Sequence, residues 1–192
     1  MTTNILKIVL FGPESTGKTT LAKKLSTYYK AAWNPEFLRY YINAREATKD
    51  NKESKQKITI EKKELQYIAL GQLASELAIE EHNVGFVILD TCLHTNLIYA
   101  EHYYKKAPDI IHKLLEKRKY DIFLLCHTDL SWEDDPQRDS PEVREKLFLK
   151  MHNYLIKNQL PFAEVTGSGE KRFKNVVDIL SSKFPILNNS NQ

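Results

Sequence analysis

The sequence is poor in the features that would place it outside a reducing, aqueous setting. Only two cysteines, Cys92 and Cys126, occur in 192 residues. Both stand in apolar surroundings without a CxxC partner, so core thiols are expected and a disulfide is not. No apolar run approaches the roughly 18 residues that a membrane span needs. Residues 1–4 carry no basic region. The run from Ile5 to Phe11 contains Lys7 and is broken by Gly12 and Pro13, so it reads as a buried strand and not as a signal peptide. An excess of one charge is also lacking, since the net charge is +3 with 28% of residues charged. That balance argues against a nucleic-acid partner. His94, His102, His112, His127 and His152 show no HExxH or paired Cys/His spacing, which argues against zinc, and no GxSxG elbow for acyl chemistry is present. Neither an internal repeat nor a low-complexity segment appears. A cytoplasmic location is expected.

What the chain does contain is an alternation of buried strands and helices. Apolar residues make up 42% of it, enough for one domain with a full core. Strands are expected at Ile5–Phe11, Ala31–Phe37, Gly85–Asp90, Tyr120–Cys126 and Pro161–Val165. Helices are expected at Lys18–Lys30, Thr95–Tyr104 and Pro108–Arg118, and in a segment up to Glu81 with Leu70, Leu73, Ala74 and Leu77 on its apolar face. Ser140-Pro141 opens another helix with an N-cap and a proline at the first helical position. The last helix carries Phe173, Val176, Val177, Leu180 and Phe184. Thr48–Lys57, with four lysines, reads as a solvated loop. Five strands alternating with helices imply an α/β fold, a parallel sheet covered on both faces. Residues 1–185 are read as the domain and 186–192 as a flexible tail.

One stretch carries the chemistry. Gly12-Pro13-Glu14-Ser15-Thr16-Gly17-Lys18-Thr19 matches G-x-x-x-x-G-K-[ST] in full, follows a buried strand and opens a helix, which identifies a P-loop. In such a loop the backbone N–H groups face a β-phosphate at the positive end of the helix. Lys18 meets the β- and γ-phosphates, and the Thr19 hydroxyl ligates Mg²⁺. Gly12 to Thr19, with Thr20, form the expected ATP-binding set. Asp90 closes the strand "GFVILD", at the carboxyl edge where ligands of open α/β sheets gather, and is suited to magnesium or a substrate hydroxyl. "NPEFLRYY" places Glu36 and Arg39 at the same edge, as a proton acceptor and a phosphate or substrate contact. Glu36 and Asp90 compete for the role of general base, with Asp90 the better sited for metal. Trp33, Tyr40, Tyr41 and Tyr99 are candidates to hold a planar ring. "SWEDDPQRDSPEVREKLF" offers Arg138 and Arg144 on a lid segment that would close over a transferring phosphoryl group.

Taken in order, "GPESTGKTTLAKKL", "PEFLRYY", "FVILDT", "YDIFLLCHTDLSWEDDPQRDSPEVREKLF" and "LPFAEVTGSGEKR" resemble the nicotinamide riboside kinase domain of bacterial NadR-type proteins, over about residues 5 to 182. The resemblance implies a fold like that of nucleoside and nucleotide kinases, with ATP as donor and magnesium as metal. It implies transfer to the 5′-hydroxyl of nicotinamide riboside, a cationic ring that aromatic faces hold well. By position, Glu36 and Arg39 match the family's E-x-x-R, and Asp90 the first acid of its D-T-D. Arg138 and Arg144 match the lid arginines, and "TGSG" with Arg172 would lie near adenine. The chain departs from the pattern at Cys92, where the family has a second acid. Such domains are often fused to an adenylyltransferase domain, for which this sequence has no room.

Other readings stay open at this stage. A kinase of another nucleoside is one. A nucleoside monophosphate kinase would need further phosphate-binding arginines, for which Arg39 and Arg45 are the candidates. A non-catalytic or regulatory ATP-binding protein is another. A GTPase switch is disfavoured, since no DxxG follows the Asp90 strand and "NKES" lacks the aspartate of NKxD.

Overall fold

A computed structural model describes residues 5–47, 59–82, 85–131, 140–185 and 187. The five expected strands are all present: β1 (Leu6–Phe11), β2 (Ala32–Asn34), β3 (Phe86–Asp90), β4 (Ile122–Cys126) and β5 (Phe162–Val165). They form one sheet in the order β2-β3-β1-β4-β5, and every pairing is parallel. The strand at the centre is the one that leads into the P-loop. Around the sheet lie α1 (Lys18–Tyr29), α2 (Phe37–Glu46), α3 (Leu65–Glu81), α4 (Leu93–Tyr104), α5 (Asp109–Glu116), α6 (Pro141–Lys157) and α7 (Gly169–Lys183).

Both faces of the sheet are covered, in keeping with the apolar runs of β3 up to Asp90 and of β4. Ile8, Leu10, Ile88, Leu124 and Cys126 pack with Leu21 and Leu25 of α1 and Val176 and Leu180 of α7. The alternate residues Val9, Phe11, Val87, Leu89, Phe123 and Leu125 pack with Ile98 of α4 and Leu147, Met151 and Leu155 of α6. A third cluster joins α4 and α5 to α3 through Ala69, Leu93, Leu97 and Ile111. Cys92 and Cys126 are free and buried. Among the described residues no helix is long and apolar enough to cross a membrane.

Three local expectations are revised. The second strand stops at Asn34 and α2 begins at Phe37, because Pro35 cannot donate to the ladder and disfavours helix in the residue before it. Helix α3 does not bury the face of Leu70 and Leu77, which are 45% and 50% exposed; it buries Ile68, Ala69, Gln72 and Glu76. Apolar residues run nearly all round this helix, so periodicity alone could not choose a face. Within the segment read as a tail, Leu187 is buried in the α1–α7 cluster. The loop expected at Thr48–Lys57 lies outside the described residues, as does Arg138 with residues 132–139 of the lid segment.

Helix α2 rests on α3 through one close approach. A Cβ added at Gly71 would stand 2.1 Å from the ring of Phe37, so only glycine lets that ring approach α3 so closely. Alanine normally favours a helix interior. Here Gly71→Ala should instead destabilise the fold by about 1–3 kcal/mol through overpacking. Denaturant unfolding checks this, and a gain in stability would show that α2 is not seated as described.

Candidate active site

The P-loop leaves β1 and enters α1 through three left-handed or otherwise unusual turns, at Gly12 (φ 141°), Ser15 (φ 55°) and Gly17 (φ 71°). Gly12 also lacks room for a side chain, since a Cβ there would lie 2.8 Å from the Cys126 carbonyl oxygen. Turns of this kind aim successive N–H groups into one concavity, a shape suited to an anion. The carbonyls on the outer side are held from beneath. Arg172, 4% exposed, donates to the Thr16 carbonyl at 2.8 Å, to Asp129 Oδ1 at 2.9 Å and to the Gly167 carbonyl at 2.9 Å. Arg144, 6% exposed, donates to the Thr128 and Leu130 carbonyls at 3.0 and 3.2 Å and lies 3.4 Å from that of Ser15. Thr16 Oγ1 donates to the Pro13 carbonyl at 2.8 Å and closes the loop internally.

Both arginines are held by the loop and the strand ends beside it. Arg144 sits in the first turn of α6 with its guanidinium turned inward to backbone carbonyls. Arg172 is likewise turned inward, joining the P-loop at Thr16 to Gly167 and Asp129. Their long stems and forked donors suit them to reach and hold several carbonyls at once.

Around the mouth of the loop the expected residues converge. Lys18 Nζ donates to the Pro13 carbonyl at 2.6 Å, folded back over the loop. Thr19 Oγ1 donates to Asp90 Oδ2 at 2.5 Å. Asp90 is 2% exposed, and its Oδ1 is buried without a hydrogen-bond partner. A buried carboxylate oxygen in that state asks for a cation or a polarised water. Among the described residues no group of three His, Cys, Asp or Glu side chains could hold a metal. The Thr19–Asp90 pair thus suits an ion whose remaining ligands are phosphate oxygens and water, the habit of Mg²⁺. The next residue, Thr91, has φ 73°, strained backbone for a β-branched side chain, beside the site.

Glu36 occupies the N-cap position of α2 without capping it, which leaves its carboxylate to the cleft. Its side chain is 23% exposed and lies 3.4 Å from Arg39 Nε. Burial pushes its carboxyl above the usual range; Lys18 opposes this, while Asp90 and Glu14 add to it. Lys18, Asp90, Arg39 and Glu14 thus all lie within electrostatic reach of Glu36, and Tyr99 ties α4 to the loop by donating to Glu14 Oε2 at 2.6 Å.

The other aromatics do not gather there. Trp33 belongs to the opposite side of β2, where it packs against the α1 cluster with Lys23 Nζ 5.3 Å above its ring. Strand alternation decides this, because Ala32 and Trp33 must face opposite ways. Tyr40 is 68% exposed on the outer face of α2, and Tyr41 donates to Glu64 at 2.8 Å. Cys92 is 0% exposed and packs beneath α4, with burial pushing its thiol up to about 12. It offers nothing to a ligand. Sequence reading passed over Gln72, Glu76, Arg118, Tyr120 and Asp129. Polar residues four apart in an otherwise apolar helix, Gln72 and Glu76, were the available signal.

Residues 7–172 match a protein-family model described as an AAA domain. No curated protein matches the chain. Among solved structures, NadR protein in complex with NAD and AMP-PNP superposes with TM-score 0.72 at 19% identity, covering 93% of this chain and 49% of that one. NadR protein in complex with NR gives TM-score 0.73 at 19% identity, covering 93% and 51%. The chain thus spans about half the length of those two proteins. Thymidylate kinase from Ehrlichia chaffeensis gives TM-score 0.63 at 13% identity, covering 91% of this chain and 98% of that one. Deoxyadenosine kinase from M. mycoides with bound dATP gives TM-score 0.58 at 16% identity, covering 92% and 99%. The fold is that of a P-loop NTPase of the kinase-like kind.

The electrostatics of Glu36 carry a consequence for stability. A carboxyl raised by folding contributes fully while protonated, below its unfolded value, and that contribution is lost as pH rises through its folded value. Glu36→Gln removes the ionisation. The variant should therefore melt a few degrees above wild type near neutral pH, and the gap should close on acidification into the ordinary carboxylate range. Parallel melting curves at every pH would show that Glu36 is fully hydrated.

Proposed function

The chain belongs to the AAA domain family, and from that premise we propose that it is an ATP-dependent kinase of a nucleoside, nicotinamide riboside being the acceptor that fits best. The observation that carries this reading is the convergence of Lys18, the Thr19–Asp90 pair and the desolvated Glu36 at one loop mouth. A switch or a passive ATP binder has no use for a second carboxylate of raised pKa opposite the first. A kinase does, because a hydroxyl must lose a proton as it attacks.

Each residue has a task. The N–H groups from Gly12 to Thr20 hold the phosphates of ATP at the start of α1. Lys18 leaves the Pro13 carbonyl and turns to the β- and γ-phosphates. Thr19 and Asp90 would hold Mg²⁺, which when bound would supply neutralisation of phosphate charge. Glu36 accepts the proton of the acceptor hydroxyl. The hydroxyl oxygen then bonds to the γ-phosphorus while the bond to the β–γ bridging oxygen breaks, and ADP leaves with that electron pair. A raised pKa brings Glu36 closer to operating pH, where a general base is most effective. Arg138, in the lid segment, completes the charge stabilisation.

Several features favour a nucleoside with a cationic ring. Glu14, Glu36 and Asp90 outnumber the two cations, Lys18 and Arg39, that act on Glu36. Tyr99 is the one aromatic candidate joined to the loop. Arg45 is engaged by Glu64 at 3.1 Å, which weakens the case for an acceptor that already bears a phosphate. The NadR structures were solved with NR in one case and AMP-PNP in another, at about half the length of those chains. Cys92 withdraws one hydroxyl partner relative to the NadR-type pattern, so ribose contacts fall to Glu36 and Asp90.

The test is ADP release with purified protein, ATP and Mg²⁺. Nicotinamide riboside should be phosphorylated faster than adenosine, uridine or thymidine. Lys18→Ala should lower turnover by at least about 10²-fold, the scale for losing a charge-stabilising donor, with the fold intact by circular dichroism. ATP binding with no transfer to any nucleoside would return the chain to the non-catalytic reading.

A further inference from the structure

Helices α2 and α4 both begin at the active site, and neither is capped by its own N-cap residue. Glu36 and Cys92 hold those positions and make no side-chain cap. The first N–H of each helix has no partner within the helix and must find one elsewhere. In both cases the partner comes from a single buried network. The Phe37 N–H, first in α2, donates to Gln72 Oε1 at 3.1 Å. The Leu93 N–H, first in α4, donates to the Tyr120 hydroxyl at 3.3 Å.

Those two acceptors meet at one carboxylate. Gln72 Nε2 donates to Glu76 Oε1 at 2.9 Å, and the Tyr120 hydroxyl donates to Glu76 Oε2 at 3.0 Å. Glu76 is 0% exposed, and Arg118 neutralises it through Nε at 2.9 Å while also gripping Glu80. Tyr120 is 7% exposed, with the Arg118 guanidinium 5.4 Å from its ring centre. Burial pushes the Tyr120 phenol well above its usual value, so it remains a donor to Glu76 throughout the working pH range.

A buried ion pair of this kind is weak as a source of stability, since apolar residues of similar volume often do as well. Its geometry is informative instead. The network spans from the residue after Glu36 to the residue after Cys92, two positions beyond Asp90. We infer that Gln72, Glu76 and Tyr120 are positioning residues that fix the first turns of α2 and α4 relative to one another, and so hold Glu36 at working distance from Asp90. This rests on the kinase reading given above. It adds a set of residues that touch neither nucleotide nor acceptor. They act on the step through the helix starts.

Two conservative variants separate the links. Gln72→Met keeps the volume and removes the acceptor for Phe37; Tyr120→Phe keeps the ring and removes the acceptor for Leu93. Site-resolved amide hydrogen exchange should speed up at Phe37 in the first and at Leu93 in the second. With ATP, Mg²⁺ and the nucleoside that wild type turns over fastest, each should lower kcat about tenfold to a hundredfold, the cost of a small misplacement. The KM for ATP should stay within about twofold, because the P-loop is held by other residues. A purely structural role would lower melting temperature and leave kcat per folded molecule at the wild-type level, and that result overturns the inference. If wild type binds ATP yet phosphorylates no nucleoside, the kinase reading falls instead. Hydrogen exchange then decides alone, and unchanged rates at both amides would overturn the network's role.

Discussion

The architecture depends on keeping one loop in a conformation that its own residues do not favour. Gly12, Ser15 and Gly17 hold positive φ in close succession, so the loop has no regular hydrogen-bond ladder to rely on. Arg172 and Arg144 supply what the ladder would have supplied, from inside the protein, by taking carbonyls of the loop and of the strand ends around it. With the carbonyls committed inward, the N–H groups are left for an anion. The order β2-β3-β1-β4-β5 then matters, because it puts β3 and β4 on either side of the loop. Asp90 arrives from one neighbour, and the segment of Thr128, Asp129 and Leu130 from the other.

Charge in the site follows from the same packing. Three neighbouring carboxylates, Glu14, Glu36 and Asp90, would be unfavourable in water-poor surroundings if all were ionised and unpaired. The protein distributes the cost. Asp90 shares one oxygen with Thr19 and leaves the other unpartnered, Glu14 is tied by Tyr99, and Glu36 is pushed toward its protonated form. The unpartnered oxygen and the raised carboxyl are both high in energy until a cation and a proton donor arrive. Thr91, with its left-handed backbone, adds a further local strain. Sites of chemistry are where such unrelieved terms collect.

The parts of this legible in the sequence were those with short-range physical causes. The P-loop could be read because its spacing encodes a backbone shape. β1, β3 and β4 could be read because strands buried on both faces must be continuously apolar. Glu36 and Asp90 could be placed at the sheet edge because they follow strands. The aromatics were a harder case. Trp33 and Tyr40 lie within a few residues of Glu36, yet strand alternation turns Trp33 to the far face and helix phase turns Tyr40 to solvent. Arg144 and Arg172 could be recognised as important but not as inward-facing, since their partners are backbone carbonyls that leave no trace in residue type.

By itself the sequence determined the alternation of strands and helices, the phosphate loop, and the acids at the ends of β2 and β3. These rest on local periodicity, turn chemistry and spacing along the chain. Only the tertiary structure decided which face of α3 is buried, and with it the joining of Gln72 and Glu76 to Arg118 and Tyr120 from more than 40 residues away. Only it decided that Cys92 faces the core and that Glu36 lies within electrostatic reach of Lys18 and Asp90. Contacts between distant segments depend on sheet order and helix phase, and several arrangements of either are compatible with the same local pattern.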